Sequence, residues 1–337
     1  MSLLGRTPSS RGIRQILAML GIVVAVLVQA QPAAALEKIR IAVLKFGTVS
    51  WELDVIKRHH LDQAEGIDLE MMQLAAPQAT LVALLAGETD MAVGDWIWVA
   101  RQRAVGRPFT FVPYSTATGA LVVPRRSKVA SIRDLTGKRV GVAGGPLDKS
   151  WLLLRALSMK EEGGDLAARV DPVFGAPPLL NAEIRQGRID AVLNYWPYAA
   201  RLTAAGLRPV LQVRDATTAL GIASEIPMIG YIFDERQATE RRDALLGFFR
   251  ADEKAKALLM ESDEEWERLR PLMGVPDQST FEALRAGYRA GIPRRWGDAE
   301  RRDAQRLFAI LRDAGGSRLV GGATELPAGT FWADVTY

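Results

Sequence analysis

From residue 38 onward, short apolar runs alternate with stretches of helical spacing. Lys38-Ile-Arg-Ile-Ala-Val-Leu44 alternates and then turns wholly apolar, the pattern of a first strand in a covered sheet. Gly47-Thr48-Val49-Ser50 predicts a turn. Trp51 to Ala64 carries helical spacing through Leu53, Val55, Ile56 and Leu61, stopped at Gly66. Ile67 to Leu74 predicts a second strand, and Pro77 opens a helix through Leu81, Leu84 and Leu85 that ends at Gly87. Asp90 to Val93 predicts a short strand, Gly94-Asp95-Trp96 the next turn, and Phe109 to Tyr114 and Ala120 to Pro124 two further strands. Strands alternating with helices imply parallel βαβ units.

The pattern then restarts. Ser131 caps a short helix through Leu135, Arg139 to Val142 predicts a strand, and Gly144-Gly145-Pro146 a turn before a helix over Lys149 to Lys160. Val170 to Phe174 and Ala191 to Leu193 predict strands, separated by a helix over Leu180 to Gln186. Asn194-Tyr195-Trp196-Pro197 predicts a turn, Tyr198 to Ala205 a helix, and Val210 to Val213 a closing strand. Met228 to Phe233 is apolar again and returns to the first unit; Ala238 to Leu311 is helical and charged, with breaks near Ser262, Gly274 and Gly291. One restart and one return predict an α/β fold of two doubly wound lobes, the second inserted in the first. Two hinge crossings are expected, near Thr118–Pro124 and Ser224–Tyr231. The expected boundaries are 36–118 for the first part of lobe 1, 119–226 for lobe 2 with hinge segments, and 227–337 for the return strand and C-terminal helices.

Residues 1–35 change the reading of charge and destination. Arg6, Arg11 and Arg14 precede an apolar stretch from Ile16 to Val28, too short for a comfortable span, and no acid occurs before Glu37. Ala33-Ala34-Ala35, or Val28-Gln29-Ala30, supplies a small-residue cleavage site. The segment reads as a secretory signal peptide, so the mature product is expected to be soluble and outside the inner membrane. The whole chain carries a net +4, but three basic residues and no acid lie in the signal, which leaves the mature chain at +1. A near-neutral surface offers no general attraction for nucleic acid or anionic lipid. The chain has no cysteine, which excludes disulfides, iron–sulfur clusters, thiolate metal sites and a lipidated N-terminal Cys.

Five of the eight tryptophans, Trp51, Trp96, Trp98, Trp151 and Trp196, fall where an apolar run gives way to a helical one. In open α/β sheets these junctions face the ligand crevice. Indoles there predict a cleft that grips a small molecule by a flat or apolar surface; the alternative is that they are core. Thr48, Ser50 and Trp51 at the first turn are ligand candidates, as are Asp95 and Trp96 at the third and Thr116 and Thr118 before the first crossing. Gly144 and Gly145 allow close approach to a helix start where free N–H groups favour an anion, with Lys149, Ser150 and Trp151 beside them. Asp148 places a carboxylate where that anion would sit and suits an amine, a zwitterion or a cationic complex; otherwise it only caps the helix. Tyr195 and Trp196 are placed to stack on the solute. Trp98 lies deeper in its helix and reads as core, and Glu225 reads as surface.

Three segments then carry a family resemblance. Leu84-Leu-Ala-Gly-Glu-Thr-Asp-Met-Ala-Val-Gly-Asp95, Val129-Ala-Ser-Ile-Arg-Asp-Leu-Thr-Gly-Lys-Arg-Val-Gly-Val142 and Gln186-Gly-Arg-Ile-Asp-Ala-Val-Leu-Asn-Tyr-Trp-Pro-Tyr-Ala-Ala200 resemble, in order and spacing, periplasmic solute-binding proteins of ABC importers. The branch is the one for aliphatic sulfonates, taurine, nitrate and thiamine-pyrimidine precursors. The resemblance covers about residues 38–260. It implies a type II-like two-lobed clamp that captures a small polar or organic-ion solute. A monomer of that kind passes its solute, unaltered and without a cofactor, to an inner-membrane permease driven by a cytoplasmic ATPase. Two departures stand where solute identity is set. The glutamate of the family's "WEP" is missing beside Trp196-Pro197, and Pro146-Leu-Asp-Lys-Ser-Trp151 replaces a Ser/Thr-rich turn.

Three rivals remain at this point, one of them a structural or protein-interaction role, which would predict a sealed or collapsed crevice. Glu52, Asp54, Asp95 and Asp148 are hard oxygen donors at or near the turns and form a candidate site for a metal ion or chelate, such as a lanthanide; on the other reading, Glu52 and Asp54 only complement a helix dipole. An enzyme on the same fold needs a nucleophile or base. No G-x-S-x-G elbow occurs, and the adjacent His59 and His60 point about 100° apart on a helix, unlike an H-E-x-x-H pair.

Overall fold

In the computed structural model, which describes residues 35–275 and 277–337, the apolar runs become two five-stranded sheets. The first holds β1 (Glu37–Leu44), β2 (Ile67–Leu74), β3 (Met91–Asp95), β4 (Phe109–Ser115) and β10 (Ile229–Asp234), in the order β2-β1-β3-β10-β4. The second holds β5 (Ala120–Val123), β6 (Arg139–Ala143), β7 (Asp171–Gly175), β8 (Ala191–Asn194) and β9 (Arg208–Gln212), in the order β7-β6-β8-β5-β9. The expected parallel units are present as β1 with β2 and β3, and β6 with β7 and β8. Each sheet is nevertheless mixed, because β10 runs antiparallel to β3 and β4, and β5 antiparallel to β8 and β9. The cause lies in connectivity. The chain enters β5 and β10 from the other sheet, at the carboxyl ends of the parallel strands, and can only run back against them.

Helices begin where strands end. α1 (Val49–Arg58) follows β1, and the single helix expected over Trp51 to Ala64 is split, with α2 (Leu61–Ala64) set off by His60 in the left-handed region at φ 53°. α3 (Pro77–Leu85) and α4 (Trp96–Ala104) complete the first half; α5 (Lys149–Glu162), α6 (Pro177–Arg185), α7 (Trp196–Ala204) and α8 (Val213–Ala219) flank the second sheet. The C-terminal run forms α9 (Glu235–Glu240), α10 (Arg242–Glu261), α11 (Asp263–Met273), α12 (Gln278–Ala290), α13 (Asp298–Gly315) and α14 (Ser317–Val320). Its breaks have local causes. The Ser262 side chain caps α11 through Glu265 N, and Gly274 ends α11 at φ 61°, a conformation open to glycine.

One apolar core lies on the face of the first sheet around Ala42, Ala92, Trp96 and Ile232 and runs on through α13 (Leu307, Phe308, Leu311) to Leu121, Val140, Trp151 and Leu193 of the second half. Another fills the opposite face of the first sheet with α1 and α10–α12, through Ile39, Val55, Phe248, Trp266 and Phe281. The C-terminal helices therefore serve both halves: α10 packs on α1, α12 on α7 and α13 on α5. The segment read as an export signal lies outside the described residues except for Ala35. Among the described residues no helix is long and apolar enough to cross a membrane.

Candidate functional site

The carboxyl ends of β1, β3 and β4 in the first half face the starts of α5 and α7 in the second. At the end of β3, Asp95 caps α4 by accepting from Trp98 N at 3.0 Å. Its other oxygen receives the Lys149 ammonium from across the cleft at 2.7 Å. Asp148 caps α5, accepting from Ser150 N at 2.9 Å and Trp151 N at 3.3 Å. Gly144 has φ 89°, and a Cβ there would lie 2.7 Å from the Tyr195 hydroxyl and 3.4 Å from Asp148 Oδ2, so only glycine fits. A Cβ on Gly145 would meet nothing within 4 Å. Asp95, Asp148, Lys149 and Tyr195 thus form one polar cluster drawn from both lobes.

The electrostatics follow the packing. Burial pushes the Asp148 carboxyl up, against the Lys149 charge, the two capping N–H groups and the Tyr195 hydroxyl. Burial alone would lower Lys149, yet the charge and hydrogen bond of Asp95, with the charge of Asp148, leave it raised and protonated. Burial and then the Asp148 charge push the Tyr195 phenol well above its usual range, so it is a neutral hydroxyl.

An aromatic contact lies beside this cluster. Trp196, half-buried at the start of α7, meets Trp51 edge-on, with ring centroids 6.3 Å apart at 89°. Trp51 also contacts Trp266 and Tyr288 at 5.9 and 6.1 Å. Gly287 on α12 makes room: a Cβ there would stand 2.8 Å from the Trp196 ring.

Several expectations are corrected. Trp96 is fully buried, its indole N–H donating to Pro227 O at 3.0 Å; it is core and not a cleft wall. Trp151 is 1% exposed and packs edge-on to Phe174. Both follow a capping aspartate and turn inward to the core. Ser50 is buried and its hydroxyl donates to Gly47 O within its own turn. Thr48 accepts from the Tyr114 hydroxyl at 3.4 Å. Thr116 bonds Gly291 O through both its N–H and its hydroxyl, and Thr118 is half-buried in the same crossing. Trp98 packs on Phe109, while Glu225, His59 and His60 are exposed, with His59 against Glu265 at 3.1 Å.

The four acids considered for a metal do not converge. Asp54 pairs with Arg58 on the surface, Asp95 with Lys149, and Asp148 caps its helix. Glu52 is fully buried, with the Tyr231 and Tyr288 hydroxyls each 2.5 Å from its carboxyl oxygens. Among the described residues no three His, Cys, Asp or Glu side chains are grouped to hold a metal ion. The network around Glu52 escaped the sequence reading. Tyr231 also lies 2.8 Å from Asp252, which receives Lys256 at 2.5 Å, and the Lys256 ammonium sits over the rings of Tyr114, Tyr231 and Tyr337. Its one visible signal was Asp252 and Lys256 four apart on the face of α10 that also carries Phe248, Phe249, Ala255 and Leu259.

A surface depression of about 620 Å³, lined by Gly106, Arg107, Phe109 and Asp234, lies at the other end of β4 and holds none of these residues.

Two mixed sheets joined by two crossings, with polar and indole side chains meeting between them, define a two-lobed α/β fold of the periplasmic binding protein type. Residues 63–266 match the family described as NMT1/THI5 like, and the chain belongs to that family. Among solved structures it is similar to the alkanesulfonate-binding protein SsuA from Xanthomonas axonopodis pv. citri bound to MOPS, at 22% identity over 90% of this chain and 99% of that one, with a TM-score of 0.66. It is similar also to the periplasmic aliphatic sulphonate binding protein SsuA from Escherichia coli, at 19% identity over 88% and 92%, TM-score 0.71. The periplasmic nitrate-binding protein NrtA from Synechocystis PCC 6803 matches at 13% identity over 74% and 69%, TM-score 0.53. No curated protein matches the sequence.

Proposed function

We propose that this chain is the solute-binding component of an ABC import system, exported to the periplasm as a monomer. It closes its lobes around a small polar or organic-ion solute, of the sulfonate, nitrate or pyrimidine class, and hands it unaltered to an inner-membrane permease with a cytoplasmic ATPase. The lobe boundaries are those at the two changes of sheet, residues 116–119 and 220–228. The observation that carries the reading is the meeting of Asp95 and Trp51 from one lobe with Lys149 and Trp196 from the other, at strand ends where α/β folds take ligands. The family and the fold neighbours, two of which bind sulfonates, support it.

The test is to release and identify by mass spectrometry whatever co-purifies with the protein, then to titrate it back. Binding should change tryptophan emission through Trp196 and raise the melting temperature. Chemical conversion of the bound compound would overturn the reading. EDTA should leave both signals unchanged.

A further inference from the structure

The near-neutral total of the mature chain hides an uneven spread of charge. Between residues 124 and 139 stand six basic residues, Arg125, Arg126, Lys128, Arg133, Lys138 and Arg139, and a single acid, Asp134. With the mature chain at +1, the remainder is acidic on balance. The fold gathers this segment at one end of the second sheet. β5 runs against β8, which is parallel to β6 and β7, so the end of β5 lies with the starts of those three strands. β9 starts there too, with Arg208 opposite Val123. α5 and α7 begin at the cleft, at the other end of the same strands. The basic end therefore faces away from the cleft.

The cations are displayed on fixed turns. The Arg208 guanidinium donates to Ser127 O at 3.3 Å and to Val129 O at 2.7 Å, and Ser127 N donates to Pro124 O at 2.8 Å. Ile132 and Leu135 are buried and anchor the turn that carries Arg133. Arg125, Arg126, Lys128 and Arg133 are exposed and Lys138 is half-buried; among the described residues none of these five side chains makes a hydrogen bond or an ion pair. The acids around them are already engaged. Asp134 accepts from Ala130 N and Ser131 N, each at 2.9 Å. Asp190 accepts from Arg139 N at 2.8 Å, and Asp171 pairs with the Arg139 side chain at 3.4 Å. Glu161 near the end of α5 is exposed, and the exposed Arg185 at the end of α6 offsets it.

Such a patch attracts an anionic surface. A protein partner is usually gripped by buried apolar and aromatic anchors, and no exposed large apolar side chain falls between residues 124 and 139. A layer of anionic headgroups needs no anchor, since each Lys or Arg near it strengthens binding by about fivefold. An exported solute-binding protein meets that layer at the inner membrane, and the inference rests on that reading.

We propose that this end of the second lobe is a docking surface for anionic phospholipid headgroups. It holds the exported protein at the membrane while the cleft, at the opposite end of the sheet, stays open to solute.

The test is co-sedimentation of the exported, signal-free protein with vesicles of phosphatidylglycerol and phosphatidylcholine, against vesicles of phosphatidylcholine alone. The protein should pellet with the anionic vesicles and not with the neutral ones. Added salt should release it, as the screening length falls from about 10 Å at 0.1 M to about 3 Å at 1 M. Arg125→Glu with Arg126→Glu should weaken the binding by about tenfold or more. Arg294→Glu with Arg295→Glu makes the same change in net charge at another exposed pair and should leave the binding nearly unchanged. All four side chains are exposed, so both double variants should melt with the wild type. Equal losses in the two double variants would make net charge the cause and overturn the proposal. Failure to pellet with anionic vesicles at low salt would overturn it too, as would capture by soluble polyglutamate with no binding to vesicles. Each of these outcomes leaves the solute-binding reading in place, which the co-purified compound decides separately.

Discussion

At the scale of single residues, burial decides what each side chain near the cleft can do. Tyr231 has one hydroxyl proton and stands within hydrogen-bond distance of both Glu52 and Asp252. It can satisfy both only if one carboxyl carries a proton. Lys256 bonds Asp252 at 2.5 Å, and burial with the nearby Asp252 charge pushes the Glu52 carboxyl well above its ordinary 4.5, so the proton belongs on Glu52. Native protein then binds a proton that the unfolded chain releases. Stability from this group is complete below pH 4.5 and falls as pH rises toward the raised value. Glu52→Gln removes that dependence. Urea unfolding of wild type should show a larger loss between pH 5 and pH 8 than the variant shows; parallel curves would place the proton elsewhere. Glu52→Ala should cost about 1–3 kcal/mol, because it leaves the buried Tyr288 hydroxyl without that partner. The indoles divide in the same way. Trp96→Ala should cost about 3–5 kcal/mol as a core truncation and leave solute contacts intact. Trp196→Ala should weaken solute binding while melting near the wild-type temperature. Equal melting points for the two variants would contradict this division.

At the scale of elements, the backbone was legible from sequence because its causes are local. Ile67 to Leu74 was read with the observed ends, and Gly66, Gly87, Ser262 and Gly274 punctuate where they stand. His60 was not legible as a break, since nothing local marks histidine for a left-handed turn. The site was legible as turns but only partly as side chains. Asp95, Asp148, Lys149 and Tyr195 do meet, and Trp196 stands against Trp51, whereas Trp96 and Trp151, also at helix starts, turn inward. Position in the chain fixes the turn; which face of the following helix is covered depends on partners far away, such as Phe331 against Trp96. Gly287 shows the same limit. A glycine inside a helix costs about 1 kcal/mol against alanine, and its reason is the Trp196 ring of another lobe. Gly287→Val should displace that ring, reduce solute affinity at least tenfold and leave helix content by circular dichroism unchanged. An unaltered affinity would mean the α12–α7 contact is not part of the closing surface.

At the scale of the whole molecule, two kinds of contact join the lobes, and they differ in how they resist separation. The core that passes through α13 to α5 is apolar and tied to the second crossing by Ser224 N donating to Asp303 at 2.8 Å. That contact cannot part without exposing Leu307, Phe308 and Trp151 to water. The contacts at the cleft are the Lys149–Asp95 ion pair, the edge-on pair of Trp51 with Trp196, and the packing of α7 on α12, beside which Arg201 donates to Met273 O at 3.0 Å. Lys149 and Asp95 keep 29% and 17% of their side-chain surface exposed, so water can replace each partner. Rotation about the crossings should therefore open the cleft side while α13 holds the rear. Reversing one charge tests the division. Asp95→Lys sets two ammonium groups against each other and removes the cap of α4, so the lobes should part. X-ray scattering should then show a radius of gyration above the about 20 Å of a compact chain this size. Asp95→Lys with Lys149→Asp restores attraction but not the cap, and it should return the compact value. If the double variant stays expanded, the missing cap and not the ion pair controls closure. If neither variant expands, the core through α13 holds the lobes without help from the cleft.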